Sequence, residues 1–247
     1  MTLKELNIIN FKNIAEATLT FTSGFNCFVG NNGVGKTNVL DAIYHLSMCK
    51  SYFNLPDLQN IRHEEPFFVV QGKYERGGEE LTVYCGVKRG QKKVFKKNQK
   101  AYDKLSEHIG LIPLVMISPE DFILIDGGSE ERRKLVDGII SQCDRVYLHR
   151  LIRYNKALTQ RNMLLKAAAG KFLDPEMLEV WNEQLAEHGE AIRQKRIAFL
   201  KEFRSVFQTY YERLSLGREE VCLEYKPSVK EGNFLTALKQ AADRDRL

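Results

Sequence analysis

One short loop near the start of the chain constrains its fold more than any other feature. Residues 30–37 read GNNGVGKT, which matches the phosphate-binding pattern G-x-x-x-x-G-K-T. An apolar run at 25–29 precedes the loop, and a helical pattern at 38–44 follows it. The sequence therefore predicts a strand, a phosphate-binding loop and a helix in succession, which is the context that this motif requires.

The residue types in this loop suit contact with phosphate groups. Glycines let the backbone approach phosphate oxygens closely, and the N–H groups of the loop and the helix start carry partial positive charge. We expect Lys36 to reach the β- and γ-phosphates of a nucleotide and Thr37 to offer its hydroxyl group to Mg²⁺. The alternative is a glycine-rich loop that binds no nucleotide. The predicted phosphate-binding residues are Gly30, Asn31, Asn32, Gly33, Val34, Gly35, Lys36 and Thr37.

Composition excludes several other classes of protein. The chain is 43% hydrophobic and 28% charged, which is typical of a soluble globular protein. Its apolar runs are too short to span a bilayer, and its start lacks a signal-peptide pattern. The five scattered cysteines show no metal-binding spacing, so we expect reduced thiols and a cytoplasmic location without a membrane partner. A net charge of +5 favours a polyanionic partner.

The first half of the chain predicts mainly strands. Glycine and asparagine dipeptides at 77–78 and 98–99 predict two hairpins, over 67–88 and 92–102. Single strands are predicted over 3–11, 15–21, 25–29 and 111–118, and a helix over 36–48.

The second half predicts helices. Apolar residues at steps of three and four predict one long amphipathic helix from 129 to about 169. The sequence Asp174-Pro175-Glu176 predicts the start of another helix, which Gly217 ends. A strand over 221–225 and a helix over 234–242 follow. We therefore expect an α/β lobe at 1–128, a helical lobe at 129–217, and a return to the α/β lobe at 218–247.

Hydrolysis of a nucleotide needs further groups that the chain does not clearly offer. An acidic residue at the end of a second strand normally holds Mg²⁺. Residues 122–126, FILID, imitate such a strand, but the preceding Ser118-Pro119-Glu120-Asp121 is typical of a helix start. We therefore predict a short helix there and no complete hydrolytic site.

Three motifs together resemble those of the SMC/Rad-type ATPase heads, which are ABC-type ATPases that act on DNA. They are the N-terminal pattern at 6–13, the loop with its helix at 30–43, and the SPED and G-S-x-E-R-R-x-x-x-D patterns at 118–137. Within that group the chain is similar to the RecF family of bacterial repair proteins. The helices end near Gly217, whereas an SMC head continues into long heptad repeats. The resemblance implies an α/β fold, a P-loop NTPase of ABC-ATPase head type with a mixed sheet and an inserted helical lobe.

The same resemblance implies a function. It suggests ATP- and Mg²⁺-dependent binding of gapped, single-stranded or double-stranded DNA in recombinational repair, replication and the SOS response. It also implies an ATP-sandwiched homodimer with RecR and RecO as partners. The family's signature motif and Walker B acids would lie beyond Leu247. We therefore expect weak DNA-dependent ATPase activity from a full-length protein, but weak or absent nucleotide binding and no appreciable turnover from this chain. A P-loop kinase or phosphotransferase, a transporter ATPase and a non-hydrolysing scaffold are the alternatives.

The resemblance also nominates residues outside the loop. Lys12 and Asn13 match positions beside the nucleotide, although an ordinary polar turn explains them equally well. Asp121 matches a position near Mg²⁺ and the attacking water, but helix capping is the simpler explanation. A basic run could contact DNA phosphates, or its lysines could protect exposed edge strands from aggregation. The candidate DNA-binding residues in it are Lys88, Arg89, Lys92, Lys93, Lys96, Lys97 and Lys100.

Overall fold

The computed structural model describes residues 1–168, 175–229, 232, 234–241 and 245. The chain divides into two compact units, Met1–Ile125 and Asp126–Leu247. The first unit contains all the strands described, and the second contains the long helices.

The first unit contains a sheet of six antiparallel strands. Both predicted hairpins are confirmed. Gly77 and Gly78 adopt φ of +60° and +84°, and Asn98 and Gln99 adopt +46° and +69°. Positive φ at both central residues matches the twist of the strands that such turns connect. The strands are β1 (Thr2–Phe11), β2 (Ile14–Thr20), β3 (Phe67–Arg76), β4 (Glu79–Lys88), β5 (Val94–Lys97) and β6 (Lys100–Ala101). Their order in the sheet is β2-β1-β3-β4-β5-β6. The resemblance implied a mixed sheet, whereas every pair of described strands is antiparallel.

One face of this sheet carries the core of the unit. Buried side chains alternate with more exposed ones along the strands, as expected of a sheet with one covered face. Helix α1 (Lys36–Met48) packs on that face and contributes Ala42 and Leu46, both fully buried. The predicted bounds of this helix are confirmed. The fully buried strand residues include Leu6, Ile8, Phe68, Val70, Val83 and Cys85.

Two predicted strands in this unit are wrong. Residues 25–29 and 111–118 form no strand, and no described strand pairs with either. Val29 and Ile117 are 93% and 82% exposed, whereas Ile112 is buried in the core. Apolar character alone suggested strands, but a β-ladder also requires a neighbouring strand to bond to the backbone groups.

The helix start predicted at 118–121 is confirmed. Ser118 and Asp121 form a capping box on a short 3₁₀ turn at Pro119–Phe122, and α2 (Ile123–Asp126) follows it. Residues 122–126, whose apolar sequence imitates a strand, are therefore helical, as predicted.

The single helix predicted over 129–169 is wrong. The structure has two helices, α3 (Ser129–Cys143) and α4 (Arg145–Ala167), and Ala169 lies outside the described residues. Asp144 separates them because its backbone is extended and its side chain accepts a hydrogen bond from Tyr147 N at 2.9 Å. Asp144 thus acts as the N-cap of α4, which the helical period of the apolar residues concealed.

The two remaining helices belong to the second unit. Helix α5 (Pro175–Ser215) and helix α6 (Phe234–Ala241) match their predicted positions, although Asp174 and Ala242 lie outside the described residues. Asp137 of α3 makes a two-pronged ion pair with Arg196 of α5, at 2.8 and 2.7 Å. This pair ties α3 to α5 within the unit.

The strand predicted over 221–225 is also wrong. The segment lies beside α5, where Arg204 Nε donates to Leu223 O at 2.5 Å and Tyr211 Oη donates to Glu219 at 2.6 Å. Alternating exposure explains the strand-like pattern. A helix cannot complete a β-ladder, because its own backbone groups are bonded within it. The predicted lobe limits at 128 and 217 stay a prediction.

Candidate nucleotide-binding site

The loop at 30–37 adopts a backbone that glycine makes possible. Gly30, Gly33 and Gly35 have φ of +153°, +84° and +105°, values that residues with a Cβ rarely adopt. Gly35 is also the N-cap of α1, and no side chain caps that helix start. The N–H groups of the first turn therefore remain available to an anion, at the positive end of the helix dipole.

Lys36 lies over this loop. Its ammonium group donates hydrogen bonds to Gly30 O at 2.7 Å and to Asn31 O at 2.8 Å. The positive charge is thus held at the start of the glycine loop. Carbonyl oxygens and phosphate oxygens are both acceptors, so a phosphate group can compete for the same ammonium donors. The glycine backbone, the Lys36 ammonium group and the uncapped start of α1 therefore fit the phosphate groups of a nucleoside triphosphate.

Asn13 contacts the loop rather than standing apart from it. Its Nδ2 donates to Gly33 O at 2.6 Å, and its Oδ1 accepts from Asn38 Nδ2 at 2.7 Å. The structure therefore brings the predicted Asn13 to the phosphate-binding loop through direct hydrogen bonds.

Lys12 lies in a different environment. Its ammonium group forms an ion pair with Asp41 Oδ2 at 2.6 Å and lies 4.7 Å from the centre of the Phe53 ring. Only 13% of the Lys12 side chain is exposed, and the Asp41 side chain is fully buried. Lys12 thus has a structural partner, and its contact with a nucleotide stays a prediction.

Asp41 is a buried structural residue that the sequence analysis did not single out. Its carboxylate also accepts from Ser51 Oγ at 2.8 Å and from the backbone N–H of Tyr52 at 2.7 Å. A signal was present, because Asp41 falls on the buried side of α1 with Val39, Ala42 and Leu46. An acidic residue on an apolar helix face predicts a buried ion pair.

Asp121 is engaged through both carboxylate oxygens. One accepts a short hydrogen bond from the Tyr52 hydroxyl, and the other accepts from Ser118 N at 2.6 Å. Burial and the Asp121 bond together raise the pKa of Tyr52 to about 12, so this hydroxyl remains a donor at neutral pH. The capping explanation of Asp121 agrees with these contacts, and a catalytic role stays a prediction.

The structure sorts the basic run into two groups. Lys93 Nζ pairs with Asp57 at 2.8 Å and donates to Cys49 O at 2.6 Å, and Lys96 Nζ lies 5.5 Å from the centre of the Tyr84 ring. Both are partly buried, whereas the other candidates are exposed, although Arg89 Nε donates to Glu65 O at 3.3 Å. Those exposed candidates are Lys88, Arg89, Lys92, Lys97 and Lys100.

Two of the exposed lysines face each other directly. Lys97 of β5 and Lys100 of β6 are cross-strand partners on either side of the Asn98-Gln99 turn. Like charges at directly opposed positions destabilise a sheet. An anion between them would remove that cost, so this pair agrees with a phosphate contact.

A cleft of about 530 Å³ borders the loop. Apolar residues of β2 and of the segment before the loop line it together with Gly35 and Lys36. Among the residues that the structure describes, no group of His, Cys, Asp or Glu is arranged to hold a metal ion by itself. None of the described helices is both long and apolar enough to cross a membrane.

The chain is similar to known proteins over its whole length. Residues 1–229 match the model of the AAA ATPase domain family. The DNA replication and repair protein RecF of Phocaeicola vulgatus is 52% identical over the whole chain, which covers 66% of that relative. The RecF proteins of Bacteroides thetaiotaomicron and Flavobacterium johnsoniae are each 49% identical, with 67% and 69% of their lengths covered. The chain thus spans about two-thirds of the length of the curated relatives it matches.

Solved structures agree with these relatives. A structure of the recombination mediator protein RecF-ATP in the RecFOR pathway superimposes with a TM-score of 0.88 and 29% identity, over 99% of this chain and 68% of that one. The corresponding RecF-ATPrS structure has a TM-score of 0.89 and 30% identity, over the same shares of the two chains. The predicted fold class, an α/β P-loop ATPase head, is confirmed.

Proposed function

The chain belongs to the RecF family of DNA replication and repair proteins, and we propose that its loop at 30–37 binds ATP to control contact with DNA. The observation that carries this proposal is the pairing of Lys36 with an uncapped helix start. Both place positive charge at one point of the glycine loop. Such a site suits the triphosphate of a nucleotide rather than a neutral ligand.

Magnesium completes the proposed site. Thr37, the last residue of the motif, would offer its hydroxyl group to Mg²⁺, and the ion would neutralise charge on the phosphate oxygens. Within the described part of the chain, no group of His, Cys, Asp or Glu forms a cluster that binds a metal by itself. We therefore propose nucleotide binding without appreciable turnover for this chain, and weak DNA-dependent hydrolysis for a chain of full family length.

DNA is the second proposed ligand. The exposed cations of the β4–β5 loop and the β5–β6 hairpin offer phosphate contacts, with the opposed pair Lys97 and Lys100 at the hairpin tip. Lysine contacts of this kind position a nucleic acid without reading its sequence. We propose that this hairpin touches the DNA backbone, and that Lys93 contributes to folding through Asp57 instead.

Titration of a fluorescent gapped duplex tests the DNA surface. Changing Lys97 and Lys100 together to alanine should weaken binding and lower the log–log salt slope by about 0.9 for each DNA phosphate that a lysine no longer neutralises. Stability should hold or rise slightly, because the opposed charges are removed. Lys73→Ala is the matched control, since Lys73 pairs with Glu5 on another strand of the same sheet. Equal salt slopes in all three proteins would exclude the hairpin as a DNA-binding element.

The proposed control of DNA binding by ATP requires a second titration. A version of the chain extended to the length of its relatives is titrated with the same DNA in ATP–Mg²⁺ and in ADP–Mg²⁺. We expect tight binding only with ATP, and its loss in Lys36→Ala. We further propose that ATP promotes a homodimer, which light scattering in the same two nucleotides tests. We also propose RecR and RecO as partners, which pull-down in the same two nucleotides tests. Equal binding in both nucleotides would contradict the switch.

A further inference from the structure

The turn between β1 and β2 reaches the phosphate-binding loop through one side chain. Asn13 Nδ2 donates to Gly33 O at 2.6 Å, inside the loop. Asn13 Oδ1 accepts from Asn38 Nδ2 at 2.7 Å, in the first turn of α1. One amide group therefore joins the β1–β2 turn, the loop and the helix that follows the loop.

The chemistry of the partners defines which way the amide points. Gly33 O is a carbonyl and can only accept, so the NH₂ group of Asn13 must face it. The oxygen of Asn13 then faces Asn38, whose own NH₂ group donates. Rotating the Asn13 amide by 180° would place its oxygen against Gly33 O, and rotating the Asn38 amide would place two amide oxygens together. Only one orientation of the two amides therefore satisfies both hydrogen bonds.

Gly35 lies against the same amide. A Cβ atom at position 35 would lie 2.8 Å from Asn13 Oδ1 and 3.3 Å from Ile14 Cγ1, closer than ordinary packing permits. The positive φ of Gly35 also excludes most side chains. Asn13 thus packs on the loop at Gly35 and bonds to it at Gly33, which are two independent points of contact.

We propose that Asn13 is a positioning residue that holds the phosphate-binding loop open for the nucleotide, with Asn38 as its partner. Its effect on nucleotide affinity passes through Gly33 and α1, because these are the groups that its amide bonds. The affinity part of this inference rests on the proposed function, whereas the effect on the loop does not.

Hydrogen exchange without added nucleotide tests the effect on the loop. The variants are Asn13→Ala, Asn38→Ala and their double variant. Asn13→Asp keeps the acceptor for Asn38 but loses the donor to Gly33. We expect Asn13→Ala and Asn13→Asp to speed exchange in the peptide covering residues 30–40 by about 3- to 10-fold, because both lose the exposed hydrogen bond to Gly33 O. Asn13→Ala also loses the bond from Asn38, so its effect should lie at the upper end of that range. The double variant should match Asn13→Ala, because both changes remove parts of the same network.

Asn7→Ala is the matched control. Asn7 also makes two side-chain hydrogen bonds, to Glu5 and Thr18, on strands β1 and β2 away from the loop. It should leave loop exchange unchanged while shifting the melting temperature as much as Asn13→Ala does. Unchanged loop exchange in Asn13→Ala, or an equal change in Asn7→Ala, would overturn the proposal.

ATP affinity provides the second readout. Asn13→Ala should weaken equilibrium binding of ATP–Mg²⁺ by about 3- to 10-fold, and Asn7→Ala should leave it unchanged. If Lys36→Ala has no effect on ATP binding, the proposed function fails while the exchange result still decides the role of Asn13. If Lys36→Ala abolishes binding and Asn13→Ala changes neither exchange nor affinity, only the positioning role fails.

Discussion

The two ends of helix α1 lie in contrasting environments. From its middle to its C-terminal end, Asp41, His45 and Leu46 have no exposed surface. At its N-terminus, the loop that precedes the helix is largely exposed, and the hydrogen bonds of Lys36 and Asn13 form in the presence of solvent. The same helix thus carries an exposed loop and a buried anchor, which consists of Asp41 with Lys12, Ser51 and Tyr52.

This contrast explains how one helix can serve both fold and site. Buried polar groups that lose a partner cost several times more than exposed ones, so the anchor maintains the position of α1. The exposed bonds of the loop can exchange a carbonyl partner for a phosphate oxygen at little cost to the fold. Changes at the anchor should therefore alter stability, whereas changes in the loop should alter binding.

The largest effect is expected from Asp41→Ala. The change leaves the mostly buried Lys12 ammonium without its partner and removes the acceptor for Ser51 and Tyr52. We expect a loss of about 3–5 kcal/mol in the free energy of unfolding of the first unit, as for other broken buried ion pairs. Thiol labelling measures this unit selectively, because Cys49 and Cys85 are buried whereas the remaining three cysteines are exposed.

Asp41→Asn is the control for this prediction. Asparagine keeps the size of the side chain and an acceptor for Tyr52 N, so the loss should be smaller than in Asp41→Ala. If the two buried thiols of Asp41→Ala react as slowly as those of the unchanged protein, the anchor does not maintain the fold.

The next largest effect is a dependence on pH. Burial, assisted by the nearby positive charge of Lys93, lowers the pKa of His45 to about 4, although Asp57 and Asp41 oppose this shift. Neither ring nitrogen makes a hydrogen bond within the described residues, although Asp57 lies 3.4 Å from Nε2. The neutral ring is therefore favoured in the folded chain.

The direction of this pH dependence follows from the protonation of His45 in the folded and the unfolded chain. The unfolded chain binds a proton at His45 near the ordinary pKa of 6.5, whereas the folded chain resists it until about 4. Stability is therefore full above pH 6.5 and falls as the pH drops from 6.5 to 4, by about 3 kcal/mol in total. Urea unfolding at pH 7, 5.5 and 4 measures this loss. His45→Phe should reduce it but not abolish it, because burial also lowers the pKa of His108. An unchanged pH dependence in His45→Phe would contradict the assignment.

A smaller effect is expected where α1 packs on the sheet. A Cβ atom at Gly72 would lie 2.8 Å from Leu46 Cδ1 and 2.7 Å from Tyr74 Cε2. Gly72→Ala should therefore cost about 1–3 kcal/mol through overpacking. Gly138→Ala in α3 is the control, since nothing lies within 4 Å of its added methyl group. It should stabilise α3 by up to about 1 kcal/mol. Equal melting temperatures for the two variants would show that the packing of α1 at Gly72 is loose.

Much of the fold was accessible from local sequence signals. The bounds of α1 and both hairpins were predicted correctly, because glycines and asparagine mark the turns and the phosphate-binding motif marks the helix start. The three failed strands share one cause. Their apolar residues are a local property, whereas a β-ladder depends on a partner that lies far away in sequence or is absent from the described residues.

The candidate site could likewise be predicted only where its residues are contiguous in the sequence. Gly30 to Thr37 follow from a contiguous motif, so predicting them needed no tertiary information, and their contact with phosphate stays a prediction. The anchor was missed because it joins Lys12, Asp41 and Tyr52, which are separated by up to 40 positions. Asn38 was missed because its role depends on Asn13, on the other side of the loop.

Equilibrium binding of ATP–Mg²⁺ to the 247-residue chain, measured by calorimetry beside its thermal unfolding, tests the central claim most directly. The comparison is between the unchanged chain and Lys36→Ala. We predict weak binding that Lys36→Ala reduces by at least about 10-fold, as expected for hydrogen bonds to a charged group. We also predict a change of less than about 0.5 kcal/mol in stability, as for most substitutions outside the core. Equal ATP binding by the two proteins, or a loss of binding that coincides with unfolding of Lys36→Ala, would contradict the separation of anchor and loop.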